Sequence, residues 1–331
     1  MLEKKLLTLL ENIIDPTCQK DILSAGLIKK LTLEKGVAHY ILEIQPQHKE
    51  IASSLETQIK TKLIQHSDIQ NVKGITTLQS KPKTPTKEKI ILPSVKKIIA
   101  VASGKGGVGK STVAVNIACT LAEKGFKVGI IDLDIYGPSL HLLLGIDTKP
   151  ALKNNKIVPI EKYGMHCISM GFMMDKDIPV IWRGPMVQSA VKQLFQDVLW
   201  PDLDFLIADL PPGTGDVQLT LAQSIPLTGA IIVTTPQDLA LADAMKGLEM
   251  FKKMNVPILG LVENMSHFEC PHCHESLDIF GKTSYLRSQV NVMGKIPLEM
   301  GINQSQKAGS PAVLQHPRIK NIFDTICTPL V

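Results

Sequence analysis

The chain has 331 residues and carries 36 Lys and Arg against 31 Asp and Glu, a formal charge of +5. Residues 1–79 hold ten Lys and nine acids, residues 98–331 hold 20 basic and 21 acidic side chains, and the surplus therefore lies in residues 80–97. Neither flanking part has the basic excess expected of a nucleic-acid or anionic-membrane binder, and 44% apolar content excludes wholesale disorder.

The first residues, MLEKKLLTLLENIIDP, mix Lys with Glu3, Glu11 and Asp15 and offer no small-residue cleavage site, so no signal peptide is expected. Leu6, Leu7, Leu10, Ile13 and Ile14 recur at helical spacing, and Asp15-Pro16 is expected to break that helix. Ile28–Leu33 and Ala38–Ile44 read as strands around a turn at Lys35-Gly36, and a second helix is expected over Ile51–Ile64. Residues 1–79 are thus a small α/β domain. Residues 80–97 contain three Pro and six Lys, the composition of an extended, self-repelling linker.

Residues 98–331 alternate apolar strands with helices. Strands are expected at Ile98–Ala102, Val128–Asp132, Phe205–Asp209, Ala230–Thr234, Ile258–Val262 and Val292–Ile296, and helices at Ser111–Lys124, Met186–Val198 and Ala240–Met254. Near-continuous apolar strands between helices indicate an α/β fold whose mostly parallel sheet is covered by helices on both faces. Ligands in such sheets bind at the carboxyl ends of the strands. No apolar run reaches the ~18 residues of a membrane span. Six cysteines are too few for a disulfide scaffold and point to a reducing, cytoplasmic setting.

Gly104-Lys105-Gly106-Gly107-Val108-Gly109-Lys110-Ser111 fits G-x-x-x-x-G-K-[ST] at every position, with Thr112 following. Glycines let backbone N–H groups turn toward phosphate oxygens, and the helix N-terminus adds its positive dipole. Lys110 is expected to reach the β- and γ-phosphates of a nucleoside triphosphate, and the Ser111 hydroxyl to ligate Mg²⁺. Gly104, Gly106 and Gly109 also satisfy the dinucleotide fingerprint G-x-G-x-x-G, with Asp132 beyond it. That alternative gives no reason for Lys110-Ser111, nor for a second acidic strand end. Asp209 supplies such an end before Pro211-Pro212-Gly213-Thr214-Gly215-Asp216, and can hold Mg²⁺ through a water.

Lys105 is a lysine that an ordinary phosphate loop does not need. The run KGGVGKST resembles the deviant Walker-A P-loop NTPases, and the resemblance implies that Lys105 reaches across a nucleotide-sandwich dimer. It also implies that Asp134, in Ile131-Asp132-Leu133-Asp134, positions or activates the attacking water, with Asp132 nearby.

Cys270-Pro271-His272-Cys273 places two thiolates within reach of one metal. Two ligands do not complete a four-cysteine site. Either His267, His272 or His274 helps to hold zinc, or two chains share one centre, in which case four thiolates suit a [4Fe–4S] cluster. A redox dithiol and two unrelated surface cysteines are further readings.

Taken together, SGKGGVGKST, IDLDIYGPS, WRGPM (Trp182–Met186), DLPPGTGD, TTPQDLALADAMKGLEMF, ENMSHFECPHC and GKIPL resemble the Mrp/ApbC-type iron–sulfur cluster carrier ATPases over about residues 98–315. Residues 1–79 are similar to the iron–sulfur-assembly domain often fused ahead of them. The resemblance implies ATP-linked transfer of a [4Fe–4S] cluster, bridged across a homodimer by Cys270 and Cys273, to apo iron–sulfur proteins. Scaffold proteins of cluster assembly are implied partners, and Asn264 is implied to contact adenine. Two departures stand out: Lys282-Thr283-Ser284 replaces a glycine-rich stretch, and His274 replaces a glycine common after the second cysteine. Cys119, Cys167 and Cys327 are expected to be structural, and Cys18 to be an ordinary cysteine at a turn. The main alternative is a ParA/MinD-like positioning ATPase; it predicts a basic DNA-binding surface or a basic amphipathic C-terminal helix, and gives C-P-H-C no task. A zinc-stabilised scaffold ATPase is the other.

Overall fold

A computed structural model describes residues 2–16, 20–34, 36–44, 51–78, 92–173, 184–281 and 290–331, and the chain divides into two compact units, Met1–Lys87 and Glu88–Val331. The first unit comprises α1 (Leu2–Leu10), the paired β1 (Ile14–Asp15) and β2 (Lys20–Asp21), β3 (Ile28–Glu34), β4 (Val37–Ile44), α2 (Ala52–Ile64) and β5 (Asn71–Leu78). β4 is the middle strand, antiparallel to β3 and parallel to β5. Alternation along β4 buries Ala38, Tyr40, Leu42 and Ile44 against Leu6 and Leu10 of α1 and Leu55, Ile59 and Leu63 of α2.

The sequence pattern misled at two places in this unit. The first helix stops at Leu10, where the Ile13 N–H bonds the Leu10 carbonyl at 3.1 Å, and Ile14 instead pairs with Asp21. β5, NVKGITTL, was not anticipated because Gly74 and four polar residues dilute its apolar pattern. Gly74 is required there: a Cβ would lie 2.1 Å from Cζ of the Tyr40 ring.

The second unit contains β6 (Val95–Ala102), α3 (Lys110–Glu123), β7 (Val128–Asp132), α4 (Leu140–Leu144), the β8 (Leu152–Lys153) and β9 (Lys156–Ile157) pair, β10 (Ile160–Lys162) and β11 (Met165–Ser169). There follow α5 (Gly184–Gln196), β12 (Leu203–Asp209), α6 (Asp216–Ser224), β13 (Gly229–Thr234), α7 (Asp238–Lys253) and β14 (Ile258–Glu263). The last elements are β15 (Phe268–Glu269), β16 (Ser276–Leu277), β17 (Val292–Lys295), α8 (Met300–Lys307), α9 (Ala312–Gln315) and α10 (Pro317–Cys327). β6 starts at Val95, inside the segment read as linker, while residues 80–91 of that region lie outside the described residues.

Eight strands form one sheet in the order β10-β11-β7-β12-β6-β13-β14-β17. Every pair is parallel except β10 with β11. β6 shows why both faces are covered. Ile98, Ala100 and Ala102 pack with Phe195 of α5, Leu221 of α6 and Phe251 of α7, whereas Ile99 and Val101 pack with Val113 of α3 and Phe323 of α10. A strand buried on both sides has no polar face to show, so it reads as a continuous apolar run. No helix among the described residues is long and apolar enough to cross a membrane.

Ile207 in β12 is fully buried. Ile207→Ala is expected to cost about 2–5 kcal/mol in denaturant unfolding, the range for a large-to-small change in a packed core. A loss well under ~1 kcal/mol would contradict its place in that core.

Candidate functional site

The phosphate loop leaves β6, the strand lying between β12 and β13, and Gly109 caps α3 in the left-handed region at φ +82°. Two close approaches hold the loop in place. A Cβ on Gly104 would lie 2.2 Å from the Asp243 carbonyl carbon, so the backbone of α7 rests on the loop. A Cβ on Gly109 would lie 2.2 Å from Nδ2 of Asn264. That amide donates to the Val108 carbonyl at 2.8 Å, and the Asn264 N–H bonds the Thr234 carbonyl at 2.8 Å. Asn264 is thus buried at the end of β14 as a brace under the loop, while Gly106 and Gly107 remain exposed.

Lys110 points down from the first turn of α3 and pairs with Oδ1 of Asp209 at the end of β12; the two are 6% and 1% exposed. The Lys110 ammonium also lies 3.2 Å from the Ser111 hydroxyl. The second carboxylate oxygen of Asp209, Oδ2, is buried with no hydrogen-bond partner. An open buried carboxylate oxygen and the Ser111 hydroxyl, both on groups that contact the Lys110 ammonium, are a donor set that fits a hydrated Mg²⁺ ion.

Asp132 ends β7, next to β12. Its Oδ2 accepts from the Ser169 hydroxyl at 3.0 Å and from the N–H groups of Ser139 and Leu140 at 3.1 and 3.3 Å. Its Oδ1 accepts from the Asp134 N–H at 3.0 Å. Burial first, and then the nearby Asp209 charge, push its carboxyl up to about 7, against an opposing pull from Lys110. Asp134 is half-buried and accepts from the Gly137 N–H at 3.2 Å. Burial raises its carboxyl above the ordinary range, with Lys110 opposing. Asp132 is therefore saturated with hydrogen bonds that fix the turn carrying Asp134.

Lys105 is half-buried and lies in its own chain against Gln237, Nζ to Oε1 at 3.3 Å. Thr112 accepts a hydrogen bond from Nε2 of Gln306 on α8. Neither glutamine was singled out from sequence. Gln237 sat within the TTPQDLALAD run and was legible there; Gln306 carried no local signal.

Cys270 and Cys273 are not part of this cluster. They sit on a hairpin formed by β15 and β16, in which Phe268 faces Leu277 and Glu269 faces Ser276. The Cys270 N–H bonds the Glu275 carbonyl at 3.0 Å, and the His274 N–H bonds the Cys270 carbonyl at 2.9 Å. His274 closes this turn at φ +58°, which explains why glycine suits the position; the β-carbon costs about 1–2 kcal/mol there. Cys270 is half-buried and Cys273 exposed. The N–H groups of Cys273 and His272, and then the Cys273 thiol, hold the Cys270 thiol below its ordinary range. Thiolate is the metal-binding form.

Among the described residues, no group of three or more His, Cys, Asp or Glu could hold a metal ion. The histidine-completed zinc site envisaged from spacing is therefore not assembled there: His274 pairs with Glu269, which also binds Arg318, and His267 bonds the Ser266 hydroxyl. Cys119, Cys167 and Cys327 are buried core thiols, each pushed up to about 12 by burial. Cys18, Trp182 and the 282–284 segment lie outside the described residues.

Comparison with known proteins bears on this arrangement. A family model described as ParA-type NUBPL iron-transfer P-loop NTPase matches residues 94–331, and one described as iron-sulfur cluster assembly protein matches residues 3–73. The chain is 41% identical over 316 residues to an iron-sulfur cluster carrier protein of Deinococcus radiodurans, covering 94% of this chain and 89% of the relative. It is 49% identical over 240 residues to the iron-sulfur cluster transfer protein NUBPL of Dictyostelium discoideum, covering 70% and 74%. Among solved structures, a nucleotide-binding protein from Archaeoglobus fulgidus in complex with ADP is 34% identical, with a TM-score of 0.63 over 72% of this chain and 97% of its own. The cell division ATPase MinD of Pyrococcus furiosus is 25% identical, with a TM-score of 0.54 over 71% and 98%. A P-loop NTPase unit matched across its sheet and phosphate loop, preceded by a separately matched assembly domain, makes this chain a member of the NUBPL iron-transfer P-loop NTPase family.

Proposed function

We propose that the protein is a carrier that receives an iron–sulfur cluster as cargo and delivers it to apo iron–sulfur proteins, using ATP binding and slow hydrolysis to time the exchange. The observation that carries this reading is an accessible two-thiol hairpin built on the same unit as a complete phosphate loop. Two thiols on one chain leave a cluster half-ligated, so the hairpins of two chains share it, and a [4Fe–4S] cluster takes all four. The cargo moves by thiolate exchange with the recipient's cysteines and needs no net redox change. A positioning ATPase would share the phosphate loop but not the hairpin. Scaffold proteins of cluster assembly are the natural donors.

In this reading Lys110 holds the β- and γ-phosphates, and the backbone N–H groups of Gly106, Gly107 and Gly109 donate to the phosphate oxygens. Magnesium bound with the triphosphate would be held by Ser111 and, through water, by Asp209, and it supplies neutralisation of phosphate charge. Asp134 is the proton acceptor for the attacking water: a carboxylate with a raised pKa takes up a proton more readily. Water attacks the γ-phosphorus, the bond to the β–γ bridging oxygen breaks, and ADP and phosphate leave. Asp132 positions Asp134. We assign Asn264 to the adenine side and Lys105 to a partner chain's phosphates after release from Gln237. Tyr136 and Leu239, 57% and 77% exposed beside Asp134 and Gln237, are the apolar contacts such a face-to-face dimer would bury.

The reading is tested by ATP-dependent cluster delivery to an apoprotein, followed by gain of the recipient's activity. Lys110→Ala should reduce ATP turnover at least ~100-fold, as when a key transition-state cation is removed, while cluster loading survives. Undiminished delivery by this variant would refute the ATP-linked mechanism. Cys273→Ala should lose the visible absorbance of a reconstituted cluster and keep nucleotide affinity; retention of full absorbance would remove the cysteines from the site. Asp132 gives a pH prediction for the nucleotide-free protein. Its folded carboxyl titrates near 7 against an ordinary value of 3.8, so the folded state holds an extra proton between those values and loses that stabilisation as pH rises. Measured by urea unfolding, the stability of Asp132→Asn relative to wild type should therefore rise from pH 4 to pH 7 and level off above. A flat difference would contradict the raised value.

A further inference from the structure

The bond between Gln306 and Thr112 joins two places that the function keeps apart. Thr112 lies in the first turn of α3, at the end of the phosphate loop. Its hydroxyl accepts from Nε2 of Gln306, which leaves the hydroxyl proton available to a phosphate oxygen. Gln306 belongs to the last turn of α8, a helix of eight residues spanning about 12 Å. On the same helix, Met300 and Gly301 at its start and Gln304 further along line a groove of about 400 Å³ that is also lined by Phe268, Cys270 and Pro271.

The chain leading into α8 is tied to the chain leading into the cysteines. The Ser266 N–H and hydroxyl both donate to the Ile296 carbonyl, at 2.9 and 3.1 Å, and the Leu298 N–H donates to the His267 carbonyl at 2.7 Å. The Ile296 N–H in turn bonds the Glu263 carbonyl at 2.9 Å, directly before Asn264. At the start of α8, a Cβ on Gly301 would lie 2.8 Å from the His316 ring, so glycine lets the helix pack closely on that neighbour. Gln306 and the groove beside Cys270 thus share one short helix whose leading chain is tied to the cysteine segment.

We propose that Gln306 is a positioning residue that couples nucleotide at the phosphate loop, through Thr112 and α8, to the accessibility of the cysteine hairpin. When a phosphate draws the Thr112 hydroxyl toward it, Gln306 follows and α8 shifts against the hairpin. This rests on the nucleotide and cluster roles proposed above and adds the residue that links them.

The test uses the full-length apoprotein, with alkylation of Cys270 and Cys273 by iodoacetamide followed by mass spectrometry, with and without Mg-ATP. In wild type, Mg-ATP should change the alkylation rate by about threefold or more, the response of a two-state element biased by a ligand. In Gln306→Leu that change should vanish, while the Kd for ATP stays within about threefold and the melting midpoint holds. Lys307→Ala, an exposed neighbour on the same helix, should respond like wild type. The inference is overturned if Gln306→Leu keeps the wild-type response, if wild type binds ATP without any response, or if Lys307→Ala loses it equally. Failure of wild type to bind ATP at all would instead sink the nucleotide role itself.

Discussion

The buried pair of Lys110 and Asp209 is the constraint around which the ATPase unit is arranged. A lysine at 6% exposure and an aspartate at 1% are tolerated only because each neutralises the other. Removing either partner alone would strand a charge in the core. The pair fixes the first turn of α3 over the end of β12, and so fixes where the loop before it can go. It also keeps an ammonium where the proposed triphosphate would need one, with the unpartnered oxygen of Asp209 on the same carboxylate that Lys110 pairs with. In the proposed mechanism, the contact that orders the site is thus the one that a bound triphosphate would rearrange.

Sheet order turns this local pair into a site. β6, β12 and β7 are adjacent, and parallel strands deliver their carboxyl ends to one edge. Lys110, Asp209, Asp132 and Asp134 meet there although 99 residues separate the first two. β14 ends on the same edge with Asn264 bracing the loop, and the chain then runs to Cys270, six positions further on. In the proposed mechanism, a nucleotide and a cluster handled at the two ends of so short a segment would have little slack between them. α8 closes the circuit from the other side.

Much of this was legible because the physics is local. The phosphate loop declares itself by spacing, since a Cβ on Gly104 or Gly109 would clash, at 2.2 Å, with the α7 backbone or the Asn264 amide. The central strands declare themselves by unbroken apolar runs, because both faces are buried. What stayed hidden depends on distant neighbours. β5 is polar, and its Gly74 makes sense only beneath Tyr40. Gln306 is one polar residue in a polar helix until Thr112 is placed beside it. Asp132 and Asp134 look equivalent in sequence; only the hydrogen bonds show that the first is engaged by three backbone N–H groups and a hydroxyl, and the second by far fewer. His274 looked like a departure from pattern and proves to occupy a left-handed position that glycine would fill more easily.

The central claim is that two chains share one cluster through Cys270 and Cys273. Native mass spectrometry of protein reconstituted without air, with iron and sulfide counted on the same sample, tests it most directly. The account predicts a dimer holding one [4Fe–4S] cluster and a monomer without cluster when Cys273 is replaced by Ala. A cluster retained on single chains, or zinc in its place, would contradict it.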